Sequence, residues 1–241
     1  MGRWNAIVFD LDDTLYPERD YVLGGMKAVA SWAEAELGIP SSHGFAELTE
    51  LFEHGVRGVT FNRWLGSHGF LDETLIASAV HAYRAHRPVL RPFREVPALL
   101  TSLKREHQLG LLTDGYVEVQ RGKLEALRLT PYFDAIVLSD ELGRDAWKPS
   151  PKPFLALLER LGGPAPEYVV YVADNPSKDF LGARTAGLAS IRVRRPGGEY
   201  STLQPLTDAH RPDATIASLG SLEGALLELP APAAEGWGAE A

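Results

Sequence analysis

Residues 6–15 read AIVFDLDDTL. A short apolar run enters three acids, Asp10, Asp12 and Asp13, within four positions, and the chain turns apolar again at Leu15. Carboxylates this close repel one another, and each is costly to desolvate. A buried strand ending in so much charge has two readings. It is a solvated turn or helix N-cap, or it is a seat for a cation.

The surrounding pattern supplies the fold class. Nearly continuous apolar runs fall at Asn5–Asp10, Leu109–Thr113, Ala135–Ser139, Tyr168–Ala173 and Ile191–Val193. Runs of that kind suit parallel strands covered on both faces. Helical patterns occupy Glu95–Glu106, Val117–Leu127, Pro153–Leu161 and Ser177–Ala186. The alternation predicts βαβ crossovers and a Rossmann-like α/β fold, an open parallel sheet with helices on both faces.

One gap breaks the alternation. From Pro17 to Arg91 the segments MKAVASWAEAEL, AELTELFEHGV and ETLIASAVHAYRAH space apolar residues three and four apart, and no strand intervenes. The expected organisation is a catalytic core of residues 1–16 and 92–241, with a helical cap, 17–91, inserted after the first strand. Pro17 and Arg91-Pro92 mark its hinges. Residues 230–241, rich in Ala, Pro and Gly, are expected to be a loose tail.

Composition narrows the function. The chain has 241 residues, 45% of them hydrophobic, enough for one large domain or two modest ones. A formal net charge of −8 disfavours duplex nucleic acid and anionic membranes as partners. Cysteine is absent, which removes disulfides, thiolate nucleophiles and Cys-ligated zinc and fits a reducing cytosol. The first apolar run is too short for a signal-peptide core, and no run approaches the ~20 residues of a membrane span. A cytoplasmic protein is expected. No Gly-x-Ser-x-Gly elbow is present, and GYVEVQRGKL fails as a P-loop because Leu124 stands where Ser or Thr is needed.

In an open parallel sheet, ligands bind beyond the carboxyl ends of the strands. Asp10, Asp12 and Asp13 follow the first strand, and Thr113-Asp114-Gly115 ends the second. Lys148 follows the third strand, Asp174 and Asn175 follow the fourth, and Asp179 lies five residues beyond Asp174. Several carboxylates make a hard oxygen site suited to Mg²⁺, which takes one or two carboxylates plus substrate phosphate. A hydroxyl and a lysine at the same edge can hold phosphate oxygens, and a carboxylate can itself be the nucleophile.

FDLDDT, LLTDG, Lys148 in KPSPKPF, and VADNPSKD resemble, in order, the four motifs of the haloacid dehalogenase-like hydrolases. The likeness spans nearly the whole chain except the tail, and the helical insertion sits where that family carries its first type of cap. The resemblance implies that Asp10 is the nucleophile and a Mg²⁺ ligand. It implies that Asp12 protonates the leaving group, then activates water, and lends its backbone carbonyl to the metal. Asp174 would be the second carboxylate ligand, with Asp179 and Asn175 reaching the metal through water or orienting Lys148. Thr113, the Asp114 amide and Lys148 would hold the phosphoryl group. The implied activity is hydrolysis of a small phosphorylated metabolite through an aspartyl-phosphate.

Rival readings remain. Phosphomutases use the same aspartate pair. A metal-independent 2-haloacid dehalogenase of the same superfamily lacks the second aspartate, whereas Asp12 is present. A signalling receiver module, a binding device without catalysis, clusters similar groups but carries no helical insertion after its first strand. Thr14 is read as a hydroxyl bracing the loop and Asp13 as a turn acid. His81 and His86 are read as surface residues, and Trp32 and Trp64 as core. Specificity is assigned to Arg19 and Tyr21 at the cap's opening and to Arg63 in TFNRWLGSHG, a stretch where helical patterning breaks.

Overall fold

The computed structural model describes residues 3–230, so the expected loose tail lies, apart from Pro230, outside the described residues. The chain divides into two compact units. One comprises Met1–Pro17, Pro92–Gln120 and Arg128–Ala241, and the other Glu18–Arg91 with Arg121–Leu127.

The first unit holds a six-stranded sheet of β1 (Ala6–Phe9), β2 (Gln108–Thr113), β3 (Ala135–Leu138), β4 (Val169–Ala173), β5 (Ala189–Val193) and β6 (Ala214–Ile216). Their spatial order is β3-β2-β1-β4-β5-β6, and every pairing is parallel. β1 is therefore central, with Phe9 level with Leu111 on one side and Val172 on the other. The order reverses at β1, and such a reversal opens a crevice at the carboxyl edge. β6 has no counterpart among the sequence runs, because three residues with one fully buried position carry no readable period.

Ala6 and Val8 share a buried cluster with Leu112, Tyr171, Phe154, Leu157 and Phe180. Phe154 and Leu157 come from α7 (Lys152–Arg160), which packs on β2 and β3, and Phe180 from α8 (Asp179–Thr185), which packs on β4 and β5. Ile7 and Phe9 point the other way, as the two-residue period of a strand demands. α5 (Val96–Leu103) packs on β2 and α9 (Leu222–Glu228) on β6, and Ser102 Oγ joins them by donating to Glu223 Oε1 at 3.0 Å. α6 (Val117–Leu127) follows β2; its residues from Arg121 onward group with the second unit.

The second unit is built from α1 (Glu18–Leu37), α2 (Ser41–Glu53), α3 (Thr60–Ser67) and α4 (Glu73–Ala85). Met26, Val29, Ala33, Leu48, Phe52, Trp64, Leu65 and Ala79 form its core. α1 and α4 approach closely because Gly25 has no Cβ; one placed there would lie 2.4 Å from the Tyr83 ring. Asp72 caps α4, accepting from the Thr74 and Leu75 amides.

The helical unit corrects two expectations. Thr60–Ser67 is a regular helix, not a break, because Trp64 and Leu65 anchor one face. His86 is half-buried: its ring lies 4.7 Å from Tyr21, and Nδ1 bonds the Tyr83 carbonyl oxygen at 2.6 Å. Burial, together with the Lys123 cation, holds its pKa below the ordinary histidine range, partly offset by the Tyr83 bond. Trp64 is buried as expected and donates Nε1–H to Glu47.

Candidate active site

The site is assembled by what the strands do at their carboxyl ends. The Asp10 amide donates to the Val172 carbonyl at 2.9 Å, extending the ladder one residue past β1 and fixing the carboxylate's direction. The chain then turns, with Asp13 left-handed at φ 52° and Leu15 N–H bonded to the Leu11 carbonyl at 3.0 Å. Leu11 and Leu15 are fully buried, so two apolar anchors hold an acidic turn.

Lys148 is the hub. Its Nζ lies 2.7 Å from Asp10 Oδ1, 2.7 Å from Asp179 Oδ1 and 2.9 Å from the Tyr171 hydroxyl oxygen. An ammonium has three protons, and three acceptors receive them. The Tyr171 hydroxyl donates in turn to Asp179 Oδ1 at 3.1 Å, and Asp179 Oδ2 accepts from the Asn175 backbone amide at 3.0 Å. The lysine side chain is wholly buried. Burial opposes its charge, but Asp10 and Asp179 outweigh that and hold it protonated well above the usual lysine range.

The carboxylates outnumber this cation. Asp10, Asp174 and Asp179 are all buried and present oxygens within 4.8 Å of one another. Burial pushes the Asp10 carboxyl up to about 6, with Lys148 pulling down and Asp179 pushing further up. Asp174 is held well above the usual carboxylate range by burial and by Asp179, Asp10 and Asp13. Asp179 already spends both oxygens on Lys148, Tyr171 and Asn175, whereas no hydrogen bond engages the Asp174 carboxylate among the described residues. A hard divalent cation suits this donor set, because burial first and neighbouring acids second oppose the charge on Asp174 and Asp10.

A second network lies beside the first. Gln120 Nε2 faces three acceptors with its two protons: Asp12 Oδ2 at 3.0 Å, Thr113 Oγ1 at 2.5 Å and the Asp114 carbonyl at 2.9 Å. Tyr16 OH donates to Asp12 Oδ1 at 2.5 Å. Asp114 Oδ1 accepts from Ser139 Oγ at 2.6 Å and from the Lys148 amide at 3.2 Å, which joins the two networks. Lys178 Nζ approaches Asp114 Oδ2 at 3.8 Å. The Asn175 side chain is used locally, accepting from the Ser177 amide and hydroxyl.

Asp10, Asp179 and Lys148 thus share one network, with the Asp174 carboxylate beside it, and Asp12, Thr113 and Asp114 share the other. Arg19, Tyr21 and Arg63 belong to the helical unit. Arg19 pairs with Glu53 and lies over the Phe52 ring; Tyr21 is buried, its ring beneath Lys123 Nζ at 4.5 Å; Arg63 is exposed on α3. One expectation fails: the Thr14 hydroxyl is buried but bonds to nothing among the described residues, so the two leucines brace the loop instead.

The sequence reading missed Gln120, Tyr16, Ser139 and Tyr171. Tyr171 had a signal, since a phenol inside an apolar strand needs a partner for its hydroxyl. Gln120 had none, because only the turn into α6 brings it back to β2.

The profile of the haloacid dehalogenase-like hydrolases matches residues 7–193, from β1 through β5. The chain belongs to this family. A glyceraldehyde 3-phosphate phosphatase of Methanopyrus kandleri is 35% identical to this haloacid dehalogenase-like hydrolase over 219 residues, 88% of this chain and 92% of that protein. The pyrimidine 5'-nucleotidase YjjG of Escherichia coli K12 is 28% identical, covering 92% of this chain and 97% of its own. In fold, the magnesium-bound HAD-hydrolase YfnB of Bacillus subtilis superposes with a TM-score of 0.67 at 21% identity, over 93% of this chain and 99% of that one. Family membership sets aside the receiver module. Among the described residues, no helix is long and apolar enough to cross a membrane.

Proposed function

We propose that this haloacid dehalogenase-like hydrolase is a phosphatase that cleaves a small phosphomonoester through a covalent aspartyl-phosphate on Asp10. The observation that carries the reading is the buried cluster of Asp10, Asp174 and Asp179 around Lys148. Three carboxylates outnumber the Lys148 ammonium and the nearby Lys178 cation, and an anionic phosphate ester entering beside them needs a further cation. Mg²⁺ is the assigned cofactor, which Asp10, Asp174 and the Asp12 carbonyl would hold, with Asp179 and Asn175 reaching it through water or orienting Lys148. When bound, it neutralises charge on the transferring phosphoryl group.

An Asp10 carboxylate oxygen attacks phosphorus as the bond to the ester oxygen breaks, and Asp12 gives that oxygen its proton. Asp12, now a carboxylate, takes a proton from water as the water attacks the aspartyl-phosphate. The phosphorus–Asp10 bond breaks, inorganic phosphate leaves and both aspartates are restored. Lys148, Thr113 and the Asp114 amide hold the oxygens that gain charge. Asp12 favours hydrolysis over halide displacement, since delivery of water to a phosphoenzyme needs a base.

The substrate is a short phosphorylated metabolite, and the leaving group is its alcohol. Glyceraldehyde 3-phosphate is the first candidate, from the relative that aligns over 92% of its length. Its selection is assigned to Arg63, which is exposed, whereas Arg19 is committed to Glu53 and Tyr21 is buried.

Phosphate release from glyceraldehyde 3-phosphate, pyrimidine nucleoside monophosphates and an aryl phosphate tests the assignment. Release from at least one, abolished by chelator and lowered at least a thousandfold by Asp10→Asn, about 4 kcal/mol, is expected. Activity that survives exhaustive chelation, or Asp10→Asn retaining a tenth of wild-type kcat, refutes it.

A further inference from the structure

Gln120 is 1% exposed and turns one amide nitrogen, with its two protons, toward three acceptors: Asp12 Oδ2, Thr113 Oγ1 and the Asp114 carbonyl. The chemistry of those acceptors fixes its orientation. Reversed, the amide would set Oε1 against a carboxylate and a carbonyl, acceptor facing acceptor. The neighbouring backbone makes room for it. Gly115 sits at φ 132°, and a Cβ there would lie 3.1 Å from Gln120 Cδ and 3.2 Å from Cγ. The arrangement has a cost: Gln120 Oε1 is buried and has no hydrogen-bond partner among the described residues. An unsatisfied buried acceptor opposes folding, so packing alone does not account for an amide here.

We infer that Gln120 is a positioning residue that binds the second aspartate of the first motif to the hydroxyl of the second motif. Its function is to hold Asp12 where water attacks and to set Thr113 as a donor. The inference rests on the phosphatase reading. Two consequences follow from the hydrogen-bond directions. Asp12 is held from both sides, Oδ2 by Gln120 and Oδ1 by Tyr16, so its carboxylate has one orientation. Thr113 Oγ1 faces an amide nitrogen, which cannot accept, so the hydroxyl's own proton points elsewhere. That proton is then available to a phosphoryl oxygen. A valine in place of Thr113 or a hydrocarbon in place of Gln120 would lose this directed donor.

The two chemical steps depend on Asp12 unequally when the leaving group is good. A p-nitrophenolate departs without a proton donor, whereas hydrolysis of the aspartyl-phosphate still needs the base. Disturbing Asp12 through Gln120 therefore separates the steps.

The test is stopped-flow turnover of p-nitrophenyl phosphate with Mg²⁺ by wild type, Gln120→Met and Gln120→Glu. Gln120→Met removes the donor at similar length; Gln120→Glu keeps the shape and turns a donor into an acceptor. Both should lose at least thirtyfold in kcat with KM within threefold. Both should also show an initial burst of about one nitrophenolate per active site before the slow steady rate. A purely packing role would produce neither the burst nor the split of kcat from KM. If Gln120→Met does not fold, the isosteric Gln120→Glu gives the same readout alone. Either folded variant turning over within threefold of wild type, or slow without a burst, overturns the inference. An inactive wild type would instead refute the phosphatase reading, and this inference with it.

Discussion

The two units of this chain bury opposite kinds of side chain. In the helical unit the buried set is apolar, Met26, Val29, Leu48, Trp64 and Leu65 among them, and Arg19 meets Glu53 where both are about half exposed. Its one buried charge, Lys123, rests on the Tyr21 ring. At the strand ends of the first unit, Asp10, Lys148, Asp174 and Asp179 are themselves buried. Burial of the first kind is its own stabilisation, since apolar area leaves water. Burial of the second kind opposes folding and is offset only by mutual pairing, which here is incomplete for the acids. A fold therefore states where its chemistry lies by where it accepts the less favourable kind of burial.

The largest expected effect lies in the helical unit. Trp64→Ala should lower stability by about 3–5 kcal/mol, the range for truncating a buried aromatic, as read by calorimetry. It should leave the Mg²⁺-induced rise in unfolding temperature intact. Loss of that rise would mean that the two kinds of burial are not separable.

Asp174→Asn should act in the opposite sense. In chelator at pH 8 the variant should unfold at or above the wild-type temperature, because it removes a charge that burial and three neighbouring acids oppose. With free Mg²⁺ at a hundred times Kd, wild type should gain about 2.7 kcal/mol and the variant little. A variant markedly less stable in chelator would show that the ionised carboxylate supports the fold.

The same asymmetry sets a pH dependence. Asp10 titrates near 6 in the fold against 3.8 in its unperturbed state. Between those values the native state holds a proton that the unfolded chain has released. The stability this group contributes is therefore complete below 3.8 and is lost as pH rises through 6. Metal-free unfolding temperature should decline across that interval relative to Asp10→Asn. A matching profile in the variant would remove Asp10 as its source.

The smallest effect should come from Arg63→Ala, on the exposed face of α3. Stability should change by no more than about 0.5 kcal/mol. The value of kcat/KM for the best metabolite should fall tenfold, about 1.4 kcal/mol, with an aryl phosphate little affected. Equal losses on both would point to altered folding, and no loss on either would remove Arg63 from the site.

These contrasts match what could be read from the residues alone. Strand ends are legible, because a short apolar run fixes both its own length and the edge at which Asp10, Thr113, Lys148 and Asp174 emerge. Partners across the fold are not. Tyr171 reaches Lys148 and Asp179 from within β4, and Gln120 reaches Asp12 from the first turn of α6. Helical segments state their buried face but not their length, so Gly66, Ser67 and His68 disguised the end of a real helix as a break. β6 was invisible for want of a period, and α9 is barely two turns.

The central claim is that Asp10 becomes covalently phosphorylated, and the most direct measurement is the intact mass of Asp12→Asn after exposure to p-nitrophenyl phosphate, whose leaving group needs no proton donor, and Mg²⁺. With the nucleophile present and the base removed, the protein should gain the mass of one HPO₃, mapped by peptide fragmentation to Asp10. The adduct should be absent in chelator and in the double variant with Asp10→Asn. Phosphate on any other residue, or no adduct at any time while wild type turns over the same substrate, would contradict the account.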